Sequence, residues 1–420
     1  MNMKNFQVAI IGLGYIGLPL AINLSKFFKT TGYDLNQKRI KELRKGIDRT
    51  EEISKSEIRY KKNLVFTSNL EDIKKSNFYI IAVQSPIKKD KTPDFGPLIR
   101  ACKDISKIIK KNDICVFEST VYPGATEEVL IPIIEKNTKY KFNSDFFIGY
   151  SPERANPGDK KRQLKNITKV ISGSNKKTTK VIYSVYSKII RAGLHVASSI
   201  KIAEASKVIE NVQRDLNIAL INELSMIFDK MKINTGEVLN ASSTKWNFVK
   251  YEPGLVGGHC IGVDPYYLTY KSKKLGLFPN VILSGRKIND RMHKFIGNKF
   301  IKNFPANKKK KILILGYTFK ENCPDIRNTK VYDLVNYLKS KGLIIHIADP
   351  WVQKDELNPE IKKIFYKYPK NNNYDGIIIS VKHKCFSKFG IKKIKNLGKK
   401  KATILDLKNL FPNEKSFLRI

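Results

Sequence analysis

Apolar residues come in short, closed runs over the first third of the chain. FQVAII at residues 6–11, stopped by glycine, predicts a buried strand. GLGYIGLPLAINLSKFF then predicts a loop and a helix. TTGYD predicts a second strand ending at Asp34, and NQKRIKELRKG a second helix. FYIIAVQSP and DICVFEST predict further strands with their loops, TEEVLIPIIEK a helix, and the alternation runs to FFIGYSPE. Strands alternating with helices imply a parallel, doubly wound sheet. Near Ser199 the period changes. IKIAEASKVIENVQRDLNIALINELSMIFDKMKI keeps helical spacing without Gly or Pro. Its second half is apolar nearly all round, which predicts burial between domains or subunits. VILSGRKINDRMHKFIGNKFIKNF predicts another helix. From Lys309 the strand–helix pattern returns, with KKILILGYTF, LIIHIADP, YDGIIISV and ATILDLKN as strands and VYDLVNYLKSKG as an amphipathic helix. The expected fold class is α/β: two Rossmann-like, doubly wound parallel-sheet domains joined by a helical connector with a long central helix. The boundaries read as 1–198, 199–305 and 306–420.

Composition adds limits. With 420 residues and 41% hydrophobic content, the chain can fill two or three cores. No apolar run is long enough to cross a bilayer, and no signal pattern precedes the first strand. A cytoplasmic protein without membrane association is expected. The five cysteines, Cys102, Cys115, Cys260, Cys323 and Cys385, are odd in number and contain no CxxC pair. Neither a disulfide framework nor a metal site is expected. The net charge of +41 asks for an anionic partner or a lysine-rich solvated surface. The lysines are spread along the whole chain, with no basic block interleaved with aromatics and no helix-turn-helix or zinc-finger signature. No nucleic-acid partner is expected, although the charge would help draw in a nucleotide diphosphate.

Three places carry candidate chemistry. Gly12, Gly14 and Gly17 form GxGxxG between a predicted strand and a predicted helix, which suits a dinucleotide pyrophosphate. Asp34 ends the next strand, 22 residues after Gly12, where a carboxylate meets ribose hydroxyls. It favours NAD over NADP. Arg39 weakens that preference, since it could bind a phosphate; its plainer role is a solvated helix residue. Lys207 and Asn211 lie one turn apart on the long helix, with Arg214 a further turn on. They form either a solvated stripe or a polar cluster facing a cleft, where Lys207 could stabilise an alkoxide. GLVGGHCIGVDPYY places Cys260 among glycines, beside His259 and four residues before Asp264. Taken alone, this loop favours a buried structural cysteine. An NAD site upstream changes the weighing, because a cysteine can trap an aldehyde.

The ordered segments IIGLGYIGLPLA, FESTVYPG, GYSPER, AEASKVIEN, GLVGGHCIGVDPYYL and LILGYTFKENCPDIRNT resemble the nucleotide-sugar 6-dehydrogenases over essentially the full length. That family includes UDP-glucose and GDP-mannose dehydrogenases. SPERANPGDKK, VQRDLNIALINEL and KWNF are most similar to the UDP-N-acetylhexosamine 6-dehydrogenases of bacterial surface-polysaccharide synthesis, including the Vi-polysaccharide type. The resemblance implies a four-electron oxidation of a sugar C6 hydroxyl with two NAD+ in succession. It implies Cys260 as nucleophile, Lys207 and Asn211 as oxyanion stabilisers and Asp264 as water or proton partner. Glu153 would be the base in thioester hydrolysis, and Thr120 would help hold the water. It places Glu153, Arg154, Lys207, Asn211, Arg214, Gly257 and Lys320 at the sugar nucleotide. It places Gly12, Gly14, Tyr15, Ile16, Gly17, Asp34, Arg39, Ser85, Thr120 and Arg327 at the cofactor. UDP-N-acetylglucosamine is the favoured substrate and UDP-N-acetylgalactosamine the close second; UDP-glucose or GDP-mannose is the alternative. A non-catalytic basic nucleic-acid-binding protein is a remote alternative, supported by charge alone. A homodimer or higher oligomer through the long helix is expected. Two departures stand out. UDP-glucose dehydrogenases carry a second glutamate four residues after the first, where this chain has Pro157. The cofactor loop commonly written VPTP is VQSP here, which keeps a hydroxyl at Ser85.

Overall fold

The computed structural model describes residues 6–59, 62–155, 162–304, 310–371 and 373–420. They divide into two compact units, Met1–Glu210 with Tyr266–Phe278, and Asn211–Pro265 with Pro279–Ile420. Pro157 lies outside the described residues.

In the first unit, eight strands among the described residues form one sheet. They are β1 (Gln7–Ile11), β2 (Lys29–Tyr33), β3 (Leu64–Thr67), β4 (Phe78–Ile81), β5 (Ile114–Phe117), β6 (Phe147–Tyr150), β7 (Lys169–Gly173) and β8 (Leu194–Val196). Their order is β3-β2-β1-β4-β5-β6-β7-β8, parallel from β3 to β6. β4 and β5 are buried along their whole length, as FYII and ICVF require when both faces are covered. The order reverses between β1 and β4, so a crevice opens beyond their carboxyl ends. One feature departs from the expected parallel sheet: β7 runs antiparallel to β6. The described part of their connection holds one short 3-10 turn, Leu164–Asn166, and no crossover helix. A strand reached without a crossover returns antiparallel.

In the second unit, β9 (Lys311–Leu315), β10 (Ile344–Ala348), β11 (Phe365–Tyr366), β12 (Tyr374–Ile379) and β13 (Gly398–Asp406) form a parallel sheet in the order β11-β10-β9-β12-β13. It repeats the first five positions of the other sheet. The turn after its first strand repeats too. Gly316 sits at φ +93 and donates its N–H to the Ala348 carbonyl at 2.9 Å, as Gly12 sits at φ +92 and donates to Tyr33 at 2.9 Å.

The long helix spans Ile200–Met231, as its unbroken spacing predicts. Its burial within the chain is one-sided. Ile202, Ile209, Leu220, Ile227 and Met231 are exposed, while Val208, Val212, Ala219 and Ile221 are buried. The exposed five fall on one stripe at helical period. An all-round apolar helix therefore has only one side covered within a single chain. No described helix is long and apolar enough to cross a membrane.

Candidate active site

The glycine loop is shaped by contacts that exclude side chains. A Cβ at Gly12 would stand 2.8 Å from the Ala82 carbonyl oxygen, and one at Gly17 would stand 1.8 Å from the Gly12 carbonyl oxygen. Helix Gly17–Leu24 can therefore close onto β1 only with glycine there. Gly14 is different: nothing lies within 4 Å of a Cβ placed on it. That open space at a helix N-terminus fits a pyrophosphate. Asp34 fixes the loop from the end of β2. Its Oδ2 accepts from the Leu13 N–H at 2.8 Å and its Oδ1 from the Asn36 N–H at 2.8 Å. Each oxygen keeps a further lone pair for a ribose hydroxyl. These residues fit NAD.

Arg39 is neither a solvated helix residue nor an open phosphate ligand. It is buried, its Nε donates to the Leu13 carbonyl at 2.9 Å, and its Nη2 pairs with the Asp48 carboxylate at 2.8 Å. An arginine can cover the underside of a turn through its planar fork, which charge alone does not reveal. Ser85 and Thr120 are half-buried in the loops after β4 and β5. Ser119 ties these loops together by donating its hydroxyl to the Val83 carbonyl at 2.6 Å. Tyr15 and Ile16 line a cleft of about 760 Å³ that Glu153 also lines.

Glu153 is held from two sides. One carboxylate oxygen accepts from the backbone N–H groups of Arg154, at 2.7 Å, and Ala155. The other lies 3.8 Å from Lys169 Nζ. Lys169 is buried on β7 and donates to Glu118 at 2.7 Å and to the Pro152 carbonyl at 3.1 Å. Tyr186 donates its hydroxyl to the other Glu118 oxygen at 2.5 Å. Burial lifts the Glu118 carboxyl to about 7, against the pull of Lys169. The sequence reading missed this cluster. Its signal was a glutamate following an otherwise apolar strand. Arg154 spends its guanidinium on the Thr168 carbonyl at 2.8 Å and on Glu210 at 2.7 Å.

The long helix carries Lys207 and Asn211 as buried polar residues, whereas Arg214 is exposed. Asn211 donates from Nδ2 to Asp264 Oδ2 at 2.6 Å. Asp264 is buried and opens helix Asp264–Lys274. The Cys260 carbonyl accepts from the N–H groups of Val263, at 3.1 Å, and Asp264, at 2.9 Å. The cysteine and the aspartate therefore share one turn, and Cys260 is half-buried.

The same loop is pressed against segment 317–330. A Cβ on Gly257 would stand 2.7 Å from the Asn328 carbonyl oxygen, and Gly258, at φ +85, donates its N–H to that oxygen at 3.2 Å. Arg327 donates from Nε to Asp325 at 2.9 Å, and its Nη2 lies 3.1 Å from His259 Nε2. Burial alone would raise the Asp325 carboxyl; Arg327 outweighs it and holds the group below its ordinary range. His259, which sequence leaves without a chemical task, thus docks the cysteine loop on Arg327. Lys320 is half-buried, and its carbonyl accepts from the Thr318 hydroxyl at 2.9 Å. Lys408 was not singled out by the sequence. Its Nζ lies 2.7 Å from a Cβ placed on Gly254, and burial pushes its ammonium down, against the pull of Glu252 and Glu321.

Three family models match along the chain. The NAD binding domain of the UDP-glucose/GDP-mannose dehydrogenase family covers residues 6–190, its central domain 201–291, and its UDP binding domain 313–413. The chain belongs to the UDP-glucose/GDP-mannose dehydrogenase family. It is an oxidoreductase, an NAD-dependent nucleotide-sugar 6-dehydrogenase. It is similar to the UDP-N-acetyl-D-glucosamine 6-dehydrogenases of Pseudomonas aeruginosa and Salmonella typhi, each 49% identical over 100% of both chains. Among solved structures it resembles the UDP-D-ManNAc dehydrogenase of Pyrococcus horikoshii. There the TM-score is 0.86 at 27% identity, over 99% of this chain and 98% of that one. Within this dehydrogenase the NAD-binding match contains Gly12, Asp34 and Thr120, and the UDP-binding match contains Lys320, Arg327 and Lys408.

Proposed function

We propose that this dehydrogenase oxidises the C6 hydroxyl of UDP-N-acetyl-D-glucosamine to the carboxylate, for a surface polysaccharide, with the C4 epimer UDP-N-acetyl-D-galactosamine as competing substrate. The carrying observation is 49% identity over the full length of two relatives named for UDP-N-acetyl-D-glucosamine. The net reaction turns an alcohol and a water into a carboxylate and gives up two hydrides. NAD, when bound, supplies the acceptor for one hydride in each oxidation.

The chain's own residues do the remaining work. After the first oxidation the Cys260 thiolate adds to the C6 aldehyde, forming a C–S bond and a thiohemiacetal. Loss of the second hydride leaves a thioester, and water then breaks the C–S bond and restores the thiol. Lys207 offsets charge on O6, helped by Asn211. Asp264 is the water and proton partner, and its fixed orientation by Asn211 supports that role. Glu153 is the base that activates the hydrolytic water, which Thr120 helps to hold; the clamp on Glu153 from two backbone N–H groups supports it. Arg154, Arg214, Gly257 and Lys320 contact the sugar nucleotide. Tyr15, Ile16, Gly17, Ser85 and Arg327 join the glycine loop at the cofactor. The chain acts in the cytoplasm as a homodimer or higher homo-oligomer, with a second copy covering the exposed stripe on the long helix. Residues 1–198, 199–305 and 306–420 form its three functional segments.

The test is to supply UDP-N-acetyl-D-glucosamine, UDP-N-acetyl-D-galactosamine, UDP-glucose and GDP-mannose separately and follow NADH absorbance. The expected result is fastest turnover with UDP-N-acetyl-D-glucosamine. Strong turnover of UDP-glucose with none of the N-acetyl sugars would overturn the substrate.

A further inference from the structure

Two asparagines on the long helix, about three turns apart, tie down the two ends of the cysteine loop. Asn211 holds Asp264 at the far end. Asn222 holds Gly254 at the near end, and does so in both directions. The Gly254 N–H donates to Asn222 Oδ1 at 2.7 Å, and Asn222 Nδ2 donates to the Gly254 carbonyl at 3.0 Å. One side chain thus pairs with the loop as a neighbouring strand would. These partners also fix the orientation of the amide, since only its oxygen can accept and only its nitrogen can donate.

The amide is itself locked from behind. Asn222 Nδ2 gives its second hydrogen to Asn289 Oδ1 at 2.8 Å. Asn289 Nδ2 donates to the Asp215 carbonyl at 3.0 Å and to Asp215 Oδ1 at 2.8 Å. Arg286 closes the chain on Asp215 Oδ1 at 2.6 Å. Asn222, Asn289, Asp215 and Arg286 are all buried. A buried network of this kind holds the Asn222 amide in place, because turning it would leave Asn289 Oδ1 and both Gly254 backbone groups unpaired.

We propose that Asn222 is a positioning residue for Cys260: through Gly254 it sets where loop 254–264 leaves the helix, and so where the thiol is presented. This rests on the reading of Cys260 as nucleophile. Asn222 reaches the reacting atoms only through the loop, so its loss misplaces the thiol without removing any group from the chemistry. A shift of about 1 Å in a reacting atom costs on the order of a hundred-fold in rate.

The experiment compares Asn222→Ala and Asn222→Asp with wild type, by kcat, KM for NAD and the pH profile of kcat, each scaled to the folded fraction. Asn222→Ala should lower kcat by about a hundred-fold and leave the KM for NAD within about two-fold. Asn222→Asp supplies the conservative rescue. Its protonated carboxyl has an acceptor oxygen and one O–H, enough for both bonds to Gly254 but not for the further bond to Asn289, whereas its carboxylate has no donor for the Gly254 carbonyl. It should therefore recover kcat at acid pH and lose it as pH rises, a limb absent from wild type. The charged groups around it are Asp215, Arg286 and, at Gly254, Lys408. Wild-type kcat in folded Asn222→Ala overturns the proposal. So does an Asn222→Asp profile that follows wild type, which decides the matter even if Asn222→Ala does not fold. If instead Cys260→Ser still makes two NADH per sugar, the nucleophile reading is what fails.

Discussion

Glu204 is buried and accepts from the backbone N–H groups of Gly124, at 2.5 Å, and Thr126, at 2.9 Å. Burial raises its carboxyl to about 7, more than those N–H groups pull it down. A carboxyl raised in the folded state contributes stability below its unfolded value, and that contribution disappears as pH climbs through the folded one. Stability should therefore fall between about pH 4.5 and 7, by up to roughly 3 kcal/mol from this group. Glu204→Gln should remove that part of the slope, read as urea midpoints across the same range; an unchanged slope would contradict it. Asp34 carries a different expectation. Asp34→Ala frees the Leu13 and Asn36 N–H groups and removes the ribose acceptor, so KM for NAD should rise about ten-fold or more while KM for the sugar nucleotide stays close to wild type. At this scale the sequence was informative where a residue's job is local. Gly12, Gly17 and Asp34 act within one turn and one strand end. Arg39, Glu118 and Lys169 were opaque, because their partners are 9 to 68 positions away.

The cysteine loop is the element where close packing and chemistry meet. A Cβ on Gly257 would approach two backbone atoms, the Asn328 carbonyl oxygen at 2.7 Å and the Lys330 nitrogen at 3.0 Å. Backbone cannot swing aside as a flexible side chain can. Gly257→Ala should therefore cost about 1–3 kcal/mol in urea unfolding and lower kcat, with KM for NAD little changed. An alanine variant with wild-type stability and rate would show that the loop can move away from segment 317–330. Strand and helix periods located most elements, since burial on both faces leaves near-continuous apolar runs. β7 and β8 were not legible. The described part of the connection into β7 holds no crossover helix, and β8 is only 3 residues long with none of them buried. The long helix was legible as a helix, but period alone could not tell which apolar side the chain itself would cover.

For the whole molecule, charge and the exposed helix stripe each carry an expectation. A net charge of +41 attracts a sugar nucleotide from a distance, and salt screens that attraction over about 10 Å at 0.1 M. KM for the UDP-sugar should rise with ionic strength while kcat holds; a salt-independent KM would leave the lysines as solubilising charge only. Leu220→Glu on the exposed stripe should shift the particle mass measured by light scattering toward a single chain. An unchanged mass would contradict a second copy seated on that stripe. Two similar sheets and a long helix were readable as an architecture, but composition and period could not assign the chemistry. That came from the glycine loop with Asp34 and from the ordered motifs around Cys260. The central claim is a covalent, four-electron oxidation, and counting NADH against uronic acid formed from UDP-N-acetyl-D-glucosamine tests it most directly. Wild type should give two NADH per uronic acid, and Cys260→Ser should stall after one hydride or release aldehyde. Two NADH per acid at wild-type rate from Cys260→Ser would contradict it.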